Sequence, residues 1–244
     1  MKEPSVEVSI LVYNQWASTL RLLKSIQKNT HYYNRKITIV DNASTDETPQ
    51  KLKLFYLNEV VQSVIRNNEN IGFPKGHNQI IKASNADYIC LLNNDVEVPE
   101  NWLRDLINEA EEDEEIGMIA PINRTQGRLI IGGKLFKDGT GKHLHEEDRG
   151  KEEIDWLQFS CVLIKRDVIK FIGNLDEDFS PGYYEDVDAC LRAKEAGFRL
   201  ICSPNVIIEH YDGVTSKSAG LKKYQEINRI KFIQKWKDWL DSNK

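Results

Sequence analysis

The segment Tyr183-Tyr184-Glu185-Asp186-Val187-Asp188-Ala189-Cys190-Leu191-Arg192 carries three carboxylates within four residues, directly after Ser180-Pro181-Gly182. Val187, Cys190, Leu191 and Ala193 follow at helical spacing. One reading is an acidic first helical turn, where unpaired N–H groups carry partial positive charge and favour Asp and Glu. The other is chemical, with a carboxylate serving as a general base. A second acidic group, Asn93-Asn94-Asp95-Val96-Glu97, closes an apolar run far upstream. Two such clusters on strand and helix ends look like a divalent cation site and a base.

The elements that must position these groups alternate in type. Strands are predicted at 6–13, 36–41, 60–66, 88–93 and 116–121, and helices at 17–29, 46–58, 74–84 and 99–114. Ser44, Thr45 and Asp46 are good helix caps, and Pro74 suits the first position of its helix. Residues 88–93 are almost wholly apolar, as befits a central parallel strand. This alternation predicts an α/β fold with a mostly parallel, Rossmann-like sheet and right-handed crossovers. In such sheets ligands sit beyond the carboxyl ends of the strands. Those ends read Tyr13-Asn14, Asp41-Asn42, Arg66-Asn67 and Asn93-Asn94-Asp95. Each alone is an ordinary turn signal; four in register predict one polar rim. No GxGxxG follows the first strand and no P-loop lysine motif occurs, so a nucleotide held by side chains and a metal fits better than either motif.

Composition narrows the class. The 244 residues suit one large domain or two small ones, and 40% hydrophobic residues can build a core. A net charge of −5 and a pI near 5.7 argue against nucleic acid as a partner. Cys90, Cys161, Cys190 and Cys202 lack CxxC spacing and sit among apolar residues, which predicts buried free thiols and a reducing compartment. No signal peptide and no 18-residue apolar run is evident, so a cytoplasmic protein is expected.

The motifs in order carry a resemblance. Ser9-Ile10-Leu11-Val12-Tyr13-Asn14, Val40-Asp41-Asn42-Ala43-Ser44-Thr45-Asp46 and Asn70-Ile71-Gly72-Phe73-Pro74-Lys75-Gly76-His77-Asn78 resemble the inverting glycosyltransferases of family two, which have the GT-A fold. Leu91-Leu92-Asn93-Asn94-Asp95 is similar to that family's DXD region. Trp156 to Arg166, Ile172 to Glu177, the Glu185-Asp186 pair and His210 to Ser216 resemble its acceptor half. The VDNASTD and NIGF segments resemble a rhamnosyltransferase-like branch.

The resemblance implies transfer of a sugar from a nucleotide diphosphate sugar to an acceptor hydroxyl, with inversion, in the assembly of cell-surface polysaccharide or glycoconjugates. Asp186 matches the base position, with Glu185 orienting acceptor or sugar. Asp95 suits Mn²⁺ or Mg²⁺, and the family position makes His210 a further ligand. Tyr13 and Asn14 match the first nucleotide-contact loop, and Asp41 the position that reads the nucleobase. Asn42, Asn70, Gly72, Asn78 and Asn94 fall in the matching nucleotide-sugar motifs. Lys75 is either a phosphate contact or a solvated lysine. Asn93 replaces the first Asp of the DXD, so it is expected at the ribose or at the metal through water, with weaker metal affinity. The match implies a single GT-A domain, with a nucleotide-sugar half over about 1–121, an acceptor half with a smaller mixed sheet over 122–216, and a C-terminal helix over 217–244.

In the second half, Gly132-Gly133 and Asp138-Gly139 are read as hairpin turns. Residues 137–153 are charged and glycine-containing, and are expected to form a mobile loop. His143 and His145 lack partners at metal spacing and are read as solvated. Trp156–Val162 is predicted as a strand, with Trp156 in the core rather than stacked on a sugar. A helix from 185 should stop at Gly197. Residues 214–244 hold eight Lys or Arg against three Asp or Glu. Leu221, Tyr224, Ile227, Ile230, Ile233 and Trp236 recur every third residue, with Phe232, Trp239 and Leu240 beside them, which predicts an amphipathic helix. It either packs on its own domain with a basic outer face, or touches anionic lipid where a lipid-linked saccharide acceptor would sit. The alternatives to a transferase are a sugar nucleotidyltransferase, a nucleotide-sugar-binding pseudoenzyme and an interaction module. Asn14-Gln15-Trp16 lacks the Gly-rich basic loop the first normally has.

Overall fold

A computed structural model describes residues 3–211 and 222–242. Four parallel strands come first: β1 (Val6–Val12), β2 (Arg35–Asp41), β3 (Ser63–Arg66) and β4 (Tyr88–Asn93). Helices α1 (Trp16–Asn29), α2 (Thr48–Leu57) and α3 (Phe73–Ala83) connect them. Then follow β5 (Val96–Glu97), α4 (Trp102–Glu111), β6 (Ile116–Thr125), β7 (Arg128–Leu135), β8 (Gly141–His145), β9 (Cys161–Lys165), α5 (Arg166–Ile172), α6 (Glu185–Glu195) and β10 (Arg199–His210). Two C-terminal helices, α7 (Lys222–Lys235) and α8 (Lys237–Ser242), complete the described chain.

The sheet runs β3-β2-β1-β4-β9-β6-β10-β5, with the β7–β8 hairpin branching from β6. Strand β9 is antiparallel to both β4 and β6, which makes the sheet mixed. Side-chain alternation divides β4 between two cores: Cys90 and Leu92 face one cluster, Ile89 and Leu91 the other. This accounts for its unbroken apolar sequence, since a strand covered on both faces has no solvent side. A third, smaller core joins Phe179, Val187 and Leu191 to Phe232, Trp236 and Leu240 of the C-terminal helices.

Several expected boundaries move, for identifiable reasons. Strand β6 runs past Pro121 to Thr125. The proline is tolerated because the β6–β10 ladder stops at Ala120↔Cys202 and resumes at Ile122↔Ile207, so no partner needs its missing N–H. Gly132 and Gly133 lie within β7 rather than in a turn. A Cβ on Gly133 would stand 2.1 Å from Trp156 Cε2, so the glycine admits the indole against the strand backbone. Trp156 accordingly forms only an isolated bridge to Gly133, and the strand predicted at 156–162 begins at Cys161. The stretch 137–153, expected to be a mobile loop, contains β8 and a 3₁₀ turn at Glu146–Asp148. Its charges pair among themselves: Arg149 binds Glu146 at 2.7 and 2.8 Å and donates to the Cys202 carbonyl at 2.9 Å. Of the expected caps Ser44, Thr45 and Asp46, Asp46 meets the start of α2, its Oδ1 accepting from Thr48 N at 3.0 Å. Asn14 N also donates to Ser44 Oγ at 2.7 Å and Trp16 N to Asp46 Oδ2 at 3.2 Å, tying the loop after β1 to the loop after β2.

The C-terminal segment, expected as one helix, is two that meet at Trp236, and of the expected apolar set it buries Phe232, Trp236 and Leu240 but not the residues of the threefold recurrence at 227 and 230. Asn228, Phe232, Trp236 and Leu240, four residues apart, are buried. Ile227 and Ile230 remain exposed. Leu221 and residues 212–216 of the segment matched after His210 lie outside the described residues. All four cysteines are buried free thiols. No helix among the described residues is long and apolar enough to cross a membrane.

Candidate active site

The strand ends converge as the parallel registers require. Val12 lies beside Asp41, Asp41 beside Arg66, and Leu11 beside Asn93 on neighbouring strands. Beyond them opens a cleft of about 700 Å³ lined by Tyr13, Asn42, Asn70, Gly72, Asn93, Asn94 and Asp95 from this rim, and by Glu185, Asp186 and His210 from the later chain. Ten sequence-predicted residues therefore meet in one place.

The Asp95–His210 pair is made by the far edge of the sheet. Strands β5 and β10 pair antiparallel with His210 opposite Val96, and Tyr211 N donates to the Asp95 carbonyl at 3.0 Å. This puts His210 Nε2 3.4 Å from Asp95 Oδ1, with both side chains almost fully buried. His210 Nδ1 has no hydrogen-bond partner. No group of three or more His, Cys, Asp or Glu at metal-binding distance occurs among the described residues. One carboxylate and one imidazole suit the ligand chemistry of a divalent cation but are too few for a closed protein cage.

Glu185 and Asp186 open α6, directly after two tyrosines in the left-handed region, Tyr183 (φ 75°) and Tyr184 (φ 73°). Burial pushes the Asp186 carboxyl up to about 6, opposed by the Val187 N–H that donates to its Oδ1 at 2.8 Å. Burial, and then the charge of Asp186, push Glu185 well above the usual carboxylate range, and its Oε2 has no partner. The third carboxylate, Asp188, is separate in role. It is fully buried and bound by Arg192 Nε at 2.8 Å, Lys235 Nζ at 2.7 Å and Trp236 Nε1 at 2.9 Å.

Four predicted contacts do not reach the cleft. Asn14 Oδ1 accepts from Thr45 N at 2.7 Å and Asp46 N at 3.3 Å, a cross-link between loops. Asn78 is buried in α3, donates to the Leu175 carbonyl at 2.9 Å and Glu177 Oε1 at 2.9 Å, and accepts from Leu175 N at 3.0 Å. Lys75 is exposed outside the cleft lining. Asp41 is buried beside the cleft, accepting from Ser44 N at 2.8 Å and paired with Arg66. Asn94 lines the cleft but donates from Nδ2 to Thr19 Oγ1 of α1 at 3.0 Å. Asn42 donates to Asn70 Oδ1 at 3.2 Å and to the Gly72 carbonyl at 3.3 Å, and accepts from Asn67 at 2.8 Å, so the asparagines form a network along the rim. His77 is enclosed, its Nδ1 2.7 Å from Ser9 Oγ, and burial lowers its pKa to about 3.

Sequence reasoning missed other lining residues. His143, read as solvated, lines the cleft with its ring edge-on to Trp156 at 5.3 Å. Trp156 packs against two of the cores, as expected, and is also part of the cleft wall. Gln158, Tyr184 and Gln225 complete that side. The pairing of β7 with β8 across Gly133↔His143 brings the histidine there, and a charged, glycine-containing stretch carried no periodic signal for that strand.

The fold matches known sugar-transferring enzymes. A structure of GalNAc-T7 with UDP, GalNAc and Mn²⁺ superposes with a TM-score of 0.74 at 17% identity, over 86% of this chain and 44% of that one. The mannosyltransferase PcManGT of Pyrobaculum calidifontis, in complex with GDP-Man and Mn²⁺, gives 0.65 at 16% identity, over 90% of this chain and 60% of that one. At these identities the likeness establishes the GT-A fold. The profile of glycosyl transferase family 2 matches residues 7–173, and the chain belongs to that family. The matched region ends before Glu185 and Asp186.

Named relatives lie in bacteria. The amylovoran biosynthesis glycosyltransferase AmsB of Erwinia amylovora is 27% identical over 100% of this chain and 79% of its own length. The N-acetylglucosaminyl-diphospho-decaprenol L-rhamnosyltransferase of Mycobacterium tuberculosis is 24% identical over 72% of this chain and 66% of its own. Protein y4gI of Sinorhizobium fredii is 22% identical over 79% of this chain, which spans only 23% of that protein's length.

Proposed function

We propose that this protein is an inverting, metal-dependent glycosyltransferase that moves a sugar from a nucleotide diphosphate sugar to an acceptor hydroxyl during bacterial-type polysaccharide or glycoconjugate assembly. The observation that carries the reading is the meeting of the Asp95–His210 pair and the Glu185–Asp186 pair in one cleft from three separate parts of the chain. Asp186, with a carboxyl held near 6, is a base matched to neutral conditions and takes the proton from the acceptor hydroxyl. Glu185 stays protonated beside it and offers a hydrogen bond to acceptor or sugar. The rim asparagines and Tyr13 orient the nucleotide sugar. Among the described residues lining the cleft there is no Lys or Arg. A divalent cation held by Asp95 and His210 supplies the missing positive charge for the leaving diphosphate.

The relatives' names favour a lipid-linked saccharide as acceptor, since one acts on an N-acetylglucosaminyl-diphospho-decaprenol. Membrane contact through the C-terminal helix has less support. Its aromatic face packs inside the domain, Lys231 donates to the Asp178 carbonyl at 2.5 Å, and Lys235 binds Asp176 and Asp188. The testing experiment is Asp186→Asn, which keeps the side chain's size but cannot take a proton. Turnover of a nucleotide sugar selected from UDP-, GDP- and dTDP-sugars should fall about 10²–10⁴-fold, with donor affinity near wild type. Full turnover in the variant contradicts the assignment.

A further inference from the structure

Residues 179–184, which lead into the carboxylate pair, make few hydrogen bonds of their own and are held from outside. Phe73 N, at the start of α3, donates to the Pro181 carbonyl at 2.8 Å. The approach is close enough that a Cβ on Gly72 (φ 84°) would lie 2.5 Å from Pro181 Cα. Tyr184 Oη donates to the Gly139 carbonyl at the tip of the β7–β8 hairpin, at 2.9 Å. The third hold comes from α7, beyond the family-matching region. Asn228 Nδ2 lies 2.7 Å from the Phe179 carbonyl, 2.8 Å from that of Gly182 and 3.2 Å from that of Tyr183. The side chain is fully buried, and its Oδ1 has no partner. Three carbonyl oxygens around one amide nitrogen suit a donor with two hydrogens.

We infer that Asn228 is a positioning residue for the transfer reaction: its amide fixes the backbone that turns Glu185 and Asp186 into the cleft. The two consecutive left-handed tyrosines explain the need. A non-glycine residue in that region is strained and persists only where surroundings over-determine it. Of the three holds, the one that binds several of this segment's carbonyls at once is a side chain reaching from a helix about 45 residues further along the chain. An Asn at the start of the buried stripe Asn228, Phe232, Trp236 and Leu240 is otherwise an expense for the core, since its own carbonyl stays unsatisfied. The same helix anchors α6 from behind through Asp188, by Lys235 and Trp236, without touching the 179–184 backbone. The inference rests on the transferase reading for its consequence, and on the hydrogen bonds for its geometry.

The test compares Asn228→Asp, which is nearly isosteric but presents oxygens to three carbonyls, with Trp236→Phe, which loosens the same helix away from the turn. Asn228→Ser serves if the Asp variant does not fold. Two quantities are read: amide hydrogen exchange across 179–187, and steady-state kinetics with the sugar nucleotide that wild type turns over. Asn228 variants should exchange at least tenfold faster in that segment alone. They should lose about 10²-fold in kcat, the scale of a misplacement near 1 Å, with donor KM little changed. Trp236→Phe, compared at equal distance below its own Tm, should keep kcat within a few-fold. Unchanged exchange in folded Asn228 variants overturns the clamp whatever the enzyme does. Faster local exchange with wild-type kcat overturns its catalytic role. If wild type turns over no sugar nucleotide while exchange still rises locally, the transferase reading fails and the clamp stands.

Discussion

On the strand-end side of the cleft, Asn42, Asn93 and Asp95 are placed by backbone register alone. Parallel neighbours end together, so the residues after them share a rim, and hydrogen bonds to Asn67 and Asn70 then fix the Asn42 side chain. On the opposite side, the turn that leads into Glu185 and Asp186 is held by groups remote in sequence: Gly139 of the hairpin, Phe73 of α3 and Asn228 of α7. The first region tolerates surface change as long as the sheet folds. The second depends on individual side chains. Preorganised binding surfaces fit the first mode of construction, and a strained, desolvated base the second.

Substitutions should separate the two regions in kind as well as size. The largest binding effect belongs to Asp95→Ala. With only His210 left as a strong protein ligand, Mn²⁺-dependent binding of the nucleotide sugar should vanish in calorimetry while Mn²⁺-independent binding persists. Equal Mn²⁺ dependence in variant and wild type removes Asp95 from the metal site, and EDTA-insensitive turnover of wild type removes the metal.

Asp41→Ala comes next. The carboxylate is buried and engaged by Ser44 N and Arg66. Its loss should weaken nucleotide binding by roughly 1.5–3 kcal/mol, about ten- to a hundredfold. Unaltered affinity in a folded variant reduces Asp41 to a partner of Arg66.

Lys235→Glu tests the other region through stability. It removes one partner of the fully buried Asp188 and adds a like charge beside Asp176. A loss of roughly 1–3 kcal/mol in urea unfolding is expected. Binding of wild type to anionic vesicles that this change abolishes at unchanged stability would instead favour the membrane reading of the helix.

The smallest expected effect has the opposite sign. Glu185 has a folded-state pKa above its unfolded value, so its neutral form is the one folding favours. Its stability contribution is complete below the unfolded pKa and is lost as pH rises through the folded one. Glu185→Gln should therefore raise Tm at pH 8, by about 2–4 °C per kcal/mol gained for a chain of this size, and make little difference near pH 4. A lower Tm at pH 8 means that the carboxyl is stabilising as an anion.

The strand-end half was legible in the sequence because a short-range pattern decides it. An apolar strand closing on Asn or Asp, repeated four times, leaves little choice of rim. The departures there concern side chains whose amides are spent on protein: Asn14 on the Thr45–Asp46 backbone, Asn78 on Leu175 and Glu177. From sequence, a binding asparagine and a loop-tying asparagine look the same. The α6 carboxylates were visible through their density, yet nothing local separates the buried structural Asp188 from the cleft-lining Asp186; the distinction is made by Lys235 and Trp236, about 48 residues away. In the C-terminal helix the signal was present and ambiguous. A threefold apolar recurrence drew attention to Ile227 and Ile230, which are exposed, while the fourfold stripe through polar Asn228 is the one buried.

The central claim is that a desolvated Asp186 is the base. The most direct measurement is kcat against pH for wild type and Asp186→Asn under saturating donor, acceptor and Mn²⁺. Because the carboxyl must be ionised to accept a proton, and burial holds it at about 6, wild-type kcat should climb tenfold per pH unit below that value and level off above it. The variant should be slow throughout and lack this limb. A wild-type profile flat between pH 4.5 and 8, or a limb near 6 that survives in Asp186→Asn, would contradict the account.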